Sequence, residues 1–190
     1  MKNIYLASSS PRRVQILKEL GFNFTISPPV HFIEKENSAE PEALVCHNAF
    51  GKAREVAAKY RNSLIIGCDT MVTLGSEIFG KPFTSEKAYA MLEKLSGNWH
   101  TVFSGIAVID TQSGRELAGY EKTEVKFKVL SENEIGDYVK SGEPLDKAGA
   151  YGIQGYGRAL VEEIKGNVST VIGLPEDLAV KFLSEFGVKR

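Results

Sequence analysis

The alternation of apolar and polar positions divides the chain into a series of short strands and helices. Ile4 to Ala7 is an apolar run that reads as a strand. Val14, Ile16, Leu17 and Leu20 follow at helical spacing, and Gly21 ends that pattern. Phe22 and Phe24 alternate with polar residues and predict a short strand to Ile26, broken by Pro28-Pro29. His31 to Pro41 is polar and acidic and reads as a loop. From Glu42 to Tyr60 the apolar positions again fall at helical spacing, with Gly51 inside the pattern at a small cost. Leu64 to Cys68 is continuously apolar, as in a strand covered on both faces. It reaches Asp69-Thr70, and Met71 to Leu74 can continue it.

The second half reads in the same way. Gly75 makes a turn and Ile78-Phe79 pairs back. Thr84 caps a helix from Ser85 to Leu95, which Ser96-Gly97 stops. His100 to Ile109 and Glu116 to Val129 are two long strands joined by a turn at Asp110 to Gly114. In the second of them Glu124, Lys126 and Lys128 alternate with Val125, Phe127 and Val129, which predicts one wet face and one buried face. Ser131 and Glu134 form a capping box for a helix to Lys140. Asp146 to Gly157 is glycine-rich, Leu160 to Ile164 is strand-like, and Pro175 starts a last helix that closes at Phe186. With no low-complexity linker and no internal repeat, residues 1–190 read as one α/β domain with a mixed sheet.

Composition narrows the function. Of the 190 residues, 43% are hydrophobic and 25% charged, the profile of a globular protein. The formal net charge of -1 supplies no global basic field, so a nucleic-acid partner is not expected, whereas a small anionic ligand needs only a pocket. No window approaches the length needed to span a bilayer, and no secretory leader precedes the first strand, so neither a membrane partner nor export is expected. The two cysteines, Cys46 and Cys68, lack metal-ligand or CxxC spacing, which favours a reducing, cytoplasmic setting.

Three places carry candidate chemistry. At Ser8-Ser9-Ser10-Pro11-Arg12-Arg13 a strand turns into a helix. Helix-terminal amides, serine hydroxyls and two guanidinium groups suit a phosphate, while the same residues also make an ordinary capped helix with solvated arginines. Asp69 stands at the end of a buried run, where open α/β sheets place ligands, and a carboxylate there can bind a metal ion, orient a water, or cap a turn. The glycine-rich stretch with Lys147 and Gln154 lets backbone amides approach a ligand, and an amide side chain reads a base edge by paired hydrogen bonds; an irregular turn has the same composition. Glu34 is a further carboxylate among several acidic neighbours. Lys52 is a mid-helix lysine of the kind that snorkels. His31, His47 and His100 have no metal-ligand spacing, and no Walker-type GxxxxGK[ST] run or nucleophilic triad stands out. Scattered carboxylates with serine, arginine and lysine suit metal-assisted hydrolysis of a phosphate ester or anhydride.

Taken together, LASSSPRR, EALVCHNAFGKA, GCDTMV, Gly80-Lys81-Pro82, EKAYAMLEKLSGNWHTVFSGIAV and EPLDKAGAYGIQGYG resemble, in order and over essentially the whole chain, the Maf proteins, a family of nucleoside triphosphate pyrophosphatases. The resemblance implies a fold like that of the inosine triphosphate pyrophosphatases: an elongated mixed sheet flanked by helices, with two lobes around a nucleotide cleft. It implies a hydrolase acting on acid anhydrides that cleaves between the α- and β-phosphates, with magnesium or manganese as divalent cation. Asp69 matches the family's proton acceptor. Ser8, Arg13, Glu34, Lys52 and Lys81 match positions tied to phosphate, metal or catalysis, with Asp69 and Glu34 as metal ligands. Where the family commonly shows Asp-x-Asp-Glu, this chain reads His31-Phe32-Ile33-Glu34. Arg12, Thr70 and Gln154 match the subgroup acting on dTTP and UTP, with modified pyrimidine nucleotides as a further expected substrate. A homodimer is expected from the same resemblance. So is the alternative role of a nucleotide-binding regulator of septum formation.

Overall fold

The computed structural model describes residues 2–38 and 40–189. Seven strands among them form one sheet, in the order β2 (Thr25–Ile26), β1 (Asn3–Leu6), β3 (Ser63–Leu74), β5 (Trp99–Asp110), β6 (Glu116–Phe127) and β7 (Val161–Lys165), with β4 (Glu77–Phe79) also on β3. The sheet is mixed. β1 runs parallel to both β2 and β3, whereas β4 is antiparallel to β3 and β7 to β6. Parallel neighbours need crossover connections, and helices α1 (Pro11–Glu19) and α2 (Pro41–Ala57) provide them.

The chain divides into two compact units. The first runs from the N-terminus to Asp69 and adds Ser104–Glu121 and Gly173 to the C-terminus. Its core joins α2 to the sheet through Ala49, Ala53, Val56, Ile65, Ala107 and Ile109, all buried. Two glycines of the sheet set how closely the helix can lie. A Cβ on Gly67 would stand 2.1 Å from the Ala49 carbonyl oxygen, and one on Gly105 would stand 2.6 Å from the Val45 carbonyl carbon. The α2 backbone therefore rests directly on β3 and β5, at the level of Asp69. The last helix, α6 (Glu176–Glu185), belongs to this unit, with Pro175 preceding its first turn.

The second unit comprises Thr70–Phe103 and Lys122–Ile172. It contains helices α3 (Ser85–Leu95) and α4 (Glu132–Lys140), each capped as the sequence predicts. Thr84 Oγ1 accepts the Lys87 N–H, and Ser131 with Glu134 forms the reciprocal capping box. Its core gathers Leu92, Leu95, Phe127, Tyr151 and Leu160. The glycine-rich segment folds as three short 3₁₀ turns, Glu143–Asp146, Ala148–Ala150 and Gly155–Leu160.

Two expectations change. Val129, predicted on a buried face, is 86% exposed. The β6–β7 register shifts at Lys126/Phe127 and β6 ends there, so the alternation no longer governs which way Val129 faces. Helix α5 (Val168–Ile172) was not anticipated, because its β-branched residues carry no helical period.

Candidate functional site

The first unit contains six of the expected residues, Ser8, Arg12, Arg13, Glu34, Lys52 and Asp69. β1 pairs with β3 so that Leu6 lies opposite Ile66, and the Ala7 N–H donates to the Ile66 carbonyl at 2.7 Å. There β1 ends, and β3 continues beyond it to Asp69. Beyond Ala7 the chain turns through Ser8 to Ser10 into α1. Ser10 is the N-cap, accepting the Arg13 N–H, and Pro11 occupies the first helical position. Ser8 is buried. Its Oγ accepts from the Ser10 N–H and from Arg13 Nη1, both at 3.2 Å, while Arg13 Nε donates to the Gly173 carbonyl at 2.8 Å. The Arg13 guanidinium is thus held by two elements. Arg12 lies beside it on the first turn, half-buried.

Asp69 itself is only 5% exposed. Its Oδ1 lies 2.6 Å from Lys52 Nζ and its Oδ2 accepts from Asn48 Nδ2 at 3.0 Å. Lys52 Nζ also lies 2.7 Å from Glu34 Oε1 and donates to the Cys68 carbonyl at 3.3 Å. One ammonium group therefore faces two carboxylates, one buried and one at the surface. The Cys68 thiol, wholly buried, registers the surrounding charges. Burial pushes it up most, Arg13 and Lys52 pull it down, and Asp69 pushes it up.

Asn48 and Lys52 are one helical turn apart, and Gly51 and Glu55 complete the same stripe of α2. That stripe holds the loop that carries Glu34. Glu55 accepts the N–H groups of Val30, His31 and Phe32 at 2.6, 2.9 and 2.6 Å. Those amides hold its carboxyl below the usual range. The Phe32 ring lies against Gly51, where a Cβ would come within 1.9 Å of it. Asn48 closes the loop, accepting the Lys35 N–H and donating to the Lys35 carbonyl, both at 2.9 Å. Asn48 and Glu55 escape the sequence reading, because polar residues on a long helix look like its solvated face. The signal was present: Asn48, Lys52 and Glu55 recur at spacings of four and three on one side, interrupted only by a glycine.

The remaining expected residues belong to the second unit. Thr70 follows Asp69 on β3 and is half-buried. Lys81 and Gln154 are exposed. The loop bearing Lys81 is tied to the glycine-rich segment by two backbone hydrogen bonds of 3.2 Å, Gly149 N–H to the Gly80 carbonyl and Phe83 N–H to the Leu145 carbonyl. Phe83 adopts a left-handed φ of 59°, a conformation costly for a side chain of its size.

Among the described residues no group of three or more His, Cys, Asp or Glu side chains gathers as a metal cage. The two carboxylates expected to hold a cation, Asp69 and Glu34, both face the Lys52 ammonium, at 2.6 and 2.7 Å. A magnesium-type ion is commonly held by one or two carboxylates together with water and phosphate, so a pair of this kind has the donor chemistry such an ion takes.

Comparison with known proteins agrees with this architecture. The fold is that of the Ham1 proteins: the chain superposes on a HAM1 protein from Coxiella burnetii with a TM-score of 0.55 at 18% identity, covering 97% of this chain and 100% of that one. The Ham1 protein of Staphylococcus aureus gives 0.52 at 12% identity, covering 97% of both chains. The family is narrower than the fold. The chain belongs to the Maf family, whose Maf-like protein model matches residues 3–186. Among its relatives, the dTTP/UTP pyrophosphatase of Dictyoglomus thermophilum is 46% identical over 92% of this chain and 91% of its own length. That of Methanosarcina mazei is 41% identical over 99% and 96%. Among the described residues no helix is long and apolar enough to cross a membrane.

Proposed function

We propose that this protein is a nucleoside triphosphate pyrophosphatase that hydrolyses dTTP and UTP to the nucleoside monophosphate and pyrophosphate, with modified pyrimidine nucleotides in the same substrate class. The observation that carries the reading is the buried Asp69 carboxylate fixed from both sides by Lys52 and Asn48. It is supported by relatives of that name at 41% to 46% identity over nearly the full chain.

Asp69 is the proton acceptor. It orients a water and takes its proton as the oxygen attacks the α-phosphorus and the bond to the bridging oxygen of the β-phosphate breaks, so that pyrophosphate carries away the electron pair. Asn48 and Lys52 hold the carboxylate in one orientation, and the Lys52 ammonium offsets the charge of Asp69 and Glu34. Ser8, Arg12 and Arg13, at the start of α1, bind phosphate oxygens through hydroxyl, guanidinium and backbone N–H donors. Lys81 adds positive charge for the leaving group. Asp69 and Glu34 would hold magnesium or manganese, which supplies charge neutralisation of the triphosphate. Thr70 and Gln154, with Arg12, are assigned to substrate choice. The Gln154 amide offers both the donor and the acceptor that the N3–H and a carbonyl oxygen of uracil or thymine require.

The test is pyrophosphate release from UTP and dTTP in the presence of magnesium or manganese, for the parent and for Asp69→Asn. The parent should turn over both nucleotides. Asp69→Asn should bind a uridine nucleotide while turnover falls ~10²–10⁴-fold, the usual worth of a general base. A parent that binds UTP and releases no pyrophosphate overturns the reading in favour of a nucleotide-binding regulator.

A further inference from the structure

The segment that presents Gln154 is exposed at the surface, yet its backbone converges on a single carboxylate. Glu143 is half-buried at the start of the first 3₁₀ turn. Its Oε1 accepts the Tyr138 hydroxyl at 2.9 Å and the Gly157 N–H at 3.1 Å, and its Oε2 accepts the Tyr156 N–H at 3.1 Å. The Tyr138 hydroxyl accepts in turn from the Gly152 N–H at 3.2 Å. Amides on both sides of Gln154, at 152, 156 and 157, are therefore held by one carboxylate and the phenol it orients. The turn closes tightly: a Cβ on Gly157 would lie 2.3 Å from the Gly152 carbonyl oxygen. Lys147 anchors the carboxylate's own backbone, donating from Nζ to the Glu143 carbonyl at 2.6 Å and to Asp146 Oδ1 at 2.7 Å.

Apart from Tyr138, this arrangement lies outside the apolar core of the unit. The core rests on apolar side chains from α3, α4, β6 and the Tyr151–Ile153 segment. The Glu143 carboxylate joins no part of that core other than Tyr138, and every other group it accepts from belongs to the turn that bears Gln154. A charged acceptor shared by three donors is a stiff anchor. A side chain that discriminates by two directional hydrogen bonds needs a backbone that does not swing.

We infer that Glu143, acting through Tyr138 and the amides of residues 152, 156 and 157, is a positioning residue that sets how Gln154 meets the pyrimidine base and hence the enzyme's choice of base. The inference rests on the assignment of Gln154 to base reading made above. Glu143 touches no substrate. Its effect is on KM and on selectivity rather than on the chemical step.

The experiment compares the parent with Glu143→Gln, Tyr138→Phe, Gln154→Ala and the double variant Glu143→Gln/Gln154→Ala. Steady-state kinetics on UTP and CTP and amide hydrogen exchange over residues 150–160 are the readouts. Glu143→Gln should raise KM for UTP and lower the preference for UTP over CTP, each by about tenfold, as expected for disturbing a hydrogen bond to a charged group. Its kcat should stay within about twofold, and the amides of Tyr156 and Gly157 should exchange faster at an unchanged melting temperature. Tyr138→Phe should move selectivity in the same direction. The double variant should be no less selective than Gln154→Ala alone, since both changes act through one side chain. Glu143→Gln with parental KM and selectivity, or an additive double variant, overturns the inference. If Gln154→Ala itself leaves the UTP preference intact, the reading of Gln154 falls and the inference with it. The exchange data separate that outcome from a Glu143 that never held the turn.

Discussion

Lys52 and Asp69, seventeen residues apart, form an ion pair of 2.6 Å in the interior of the first unit, with side chains 9% and 6% exposed. α2 brings the ammonium and β3 brings the carboxylate, and the two meet because Gly67 lets the helix backbone lie on the strand. Buried charges are costly unless paired, so each residue is the condition for the other.

Lys52→Met should therefore affect more than catalysis. Removing one partner of a buried pair leaves an uncompensated charge and costs about 3–5 kcal/mol. Urea unfolding should show a loss of that size, and pyrophosphate release from UTP should be nearly abolished. The double variant Lys52→Met/Asp69→Asn should regain part of the stability, because the stranded charge is gone. A Lys52→Met protein as stable as its parent would show that the pair is not buried as described.

Asn48→Leu tests the hub between the Glu34 loop and Asp69. The substitution keeps an apolar fit but leaves the Lys35 N–H and carbonyl and Asp69 Oδ2 without their partner. We expect a stability cost of about 1–3 kcal/mol and a fall in kcat of about tenfold or more, with KM less changed. Proteolysis should cut faster within residues 30–38. Unaltered kcat would mean that Asn48 serves only to seat the loop.

Gln154→Glu removes the amide donor and adds a charge at the exposed tip of the glycine-rich turn. Use of UTP should fall, with kcat/KM down by about one to two orders of magnitude, while melting temperature stays within error, since Gln154 is exposed. Equal kinetics on UTP for the two proteins would remove this turn from base recognition.

His100 makes stability depend on pH. It is 2% exposed, its Nε2 pairs with the Tyr151 hydroxyl at 2.9 Å, and the Phe127 ring meets it edge-on at 4.8 Å. Burial lowers its pKa from 6.5 to about 4, with an Asn98 backbone contact opposing slightly. The fold thus binds the neutral ring, and between those pH values the unfolded chain holds the extra proton. Stability from this group is fully present above about 6.5 and is lost as pH falls toward about 4, by about 3 kcal/mol over the interval. Denaturant unfolding from pH 7 to 4.5 should show that decline in the parent and a flatter profile in His100→Gln. Identical slopes would place the pH dependence elsewhere.

Much of the fold was legible locally. Thr84 with Lys87 and Ser131 with Glu134 cap their helices through contacts three residues apart, and such contacts need no tertiary knowledge. Ser10 caps α1, while Ser8 receives Arg13. Where local signals failed, a longer-range contact had decided. A register shift against β7 ended β6 before Val129. Likewise Gly51, read as a mild weakness of α2, is the seat of the Phe32 ring.

The sequence by itself determined the class of elements, their order, and residue types able to handle a phosphate anhydride, Ser8, Arg12, Arg13, Asp69 and Gln154 among them; Lys81 entered through the family resemblance, and Lys52, which by its residue type reads as a snorkelling lysine, is instead buried. Side-chain period and capping are properties of a few neighbouring residues, and so a single strand of text contains them. Only the tertiary structure decided the partnerships. It set Lys52 between Asp69 and Glu34, made Asn48 the link between a loop and a strand, and turned Glu143 into the anchor of the Gln154 turn. The contacts of Lys52 and Asn48 are set by how closely α2 can approach β3, a distance that depends on Gly67 meeting the Ala49 backbone of another element. No window of sequence contains both sides of such a contact.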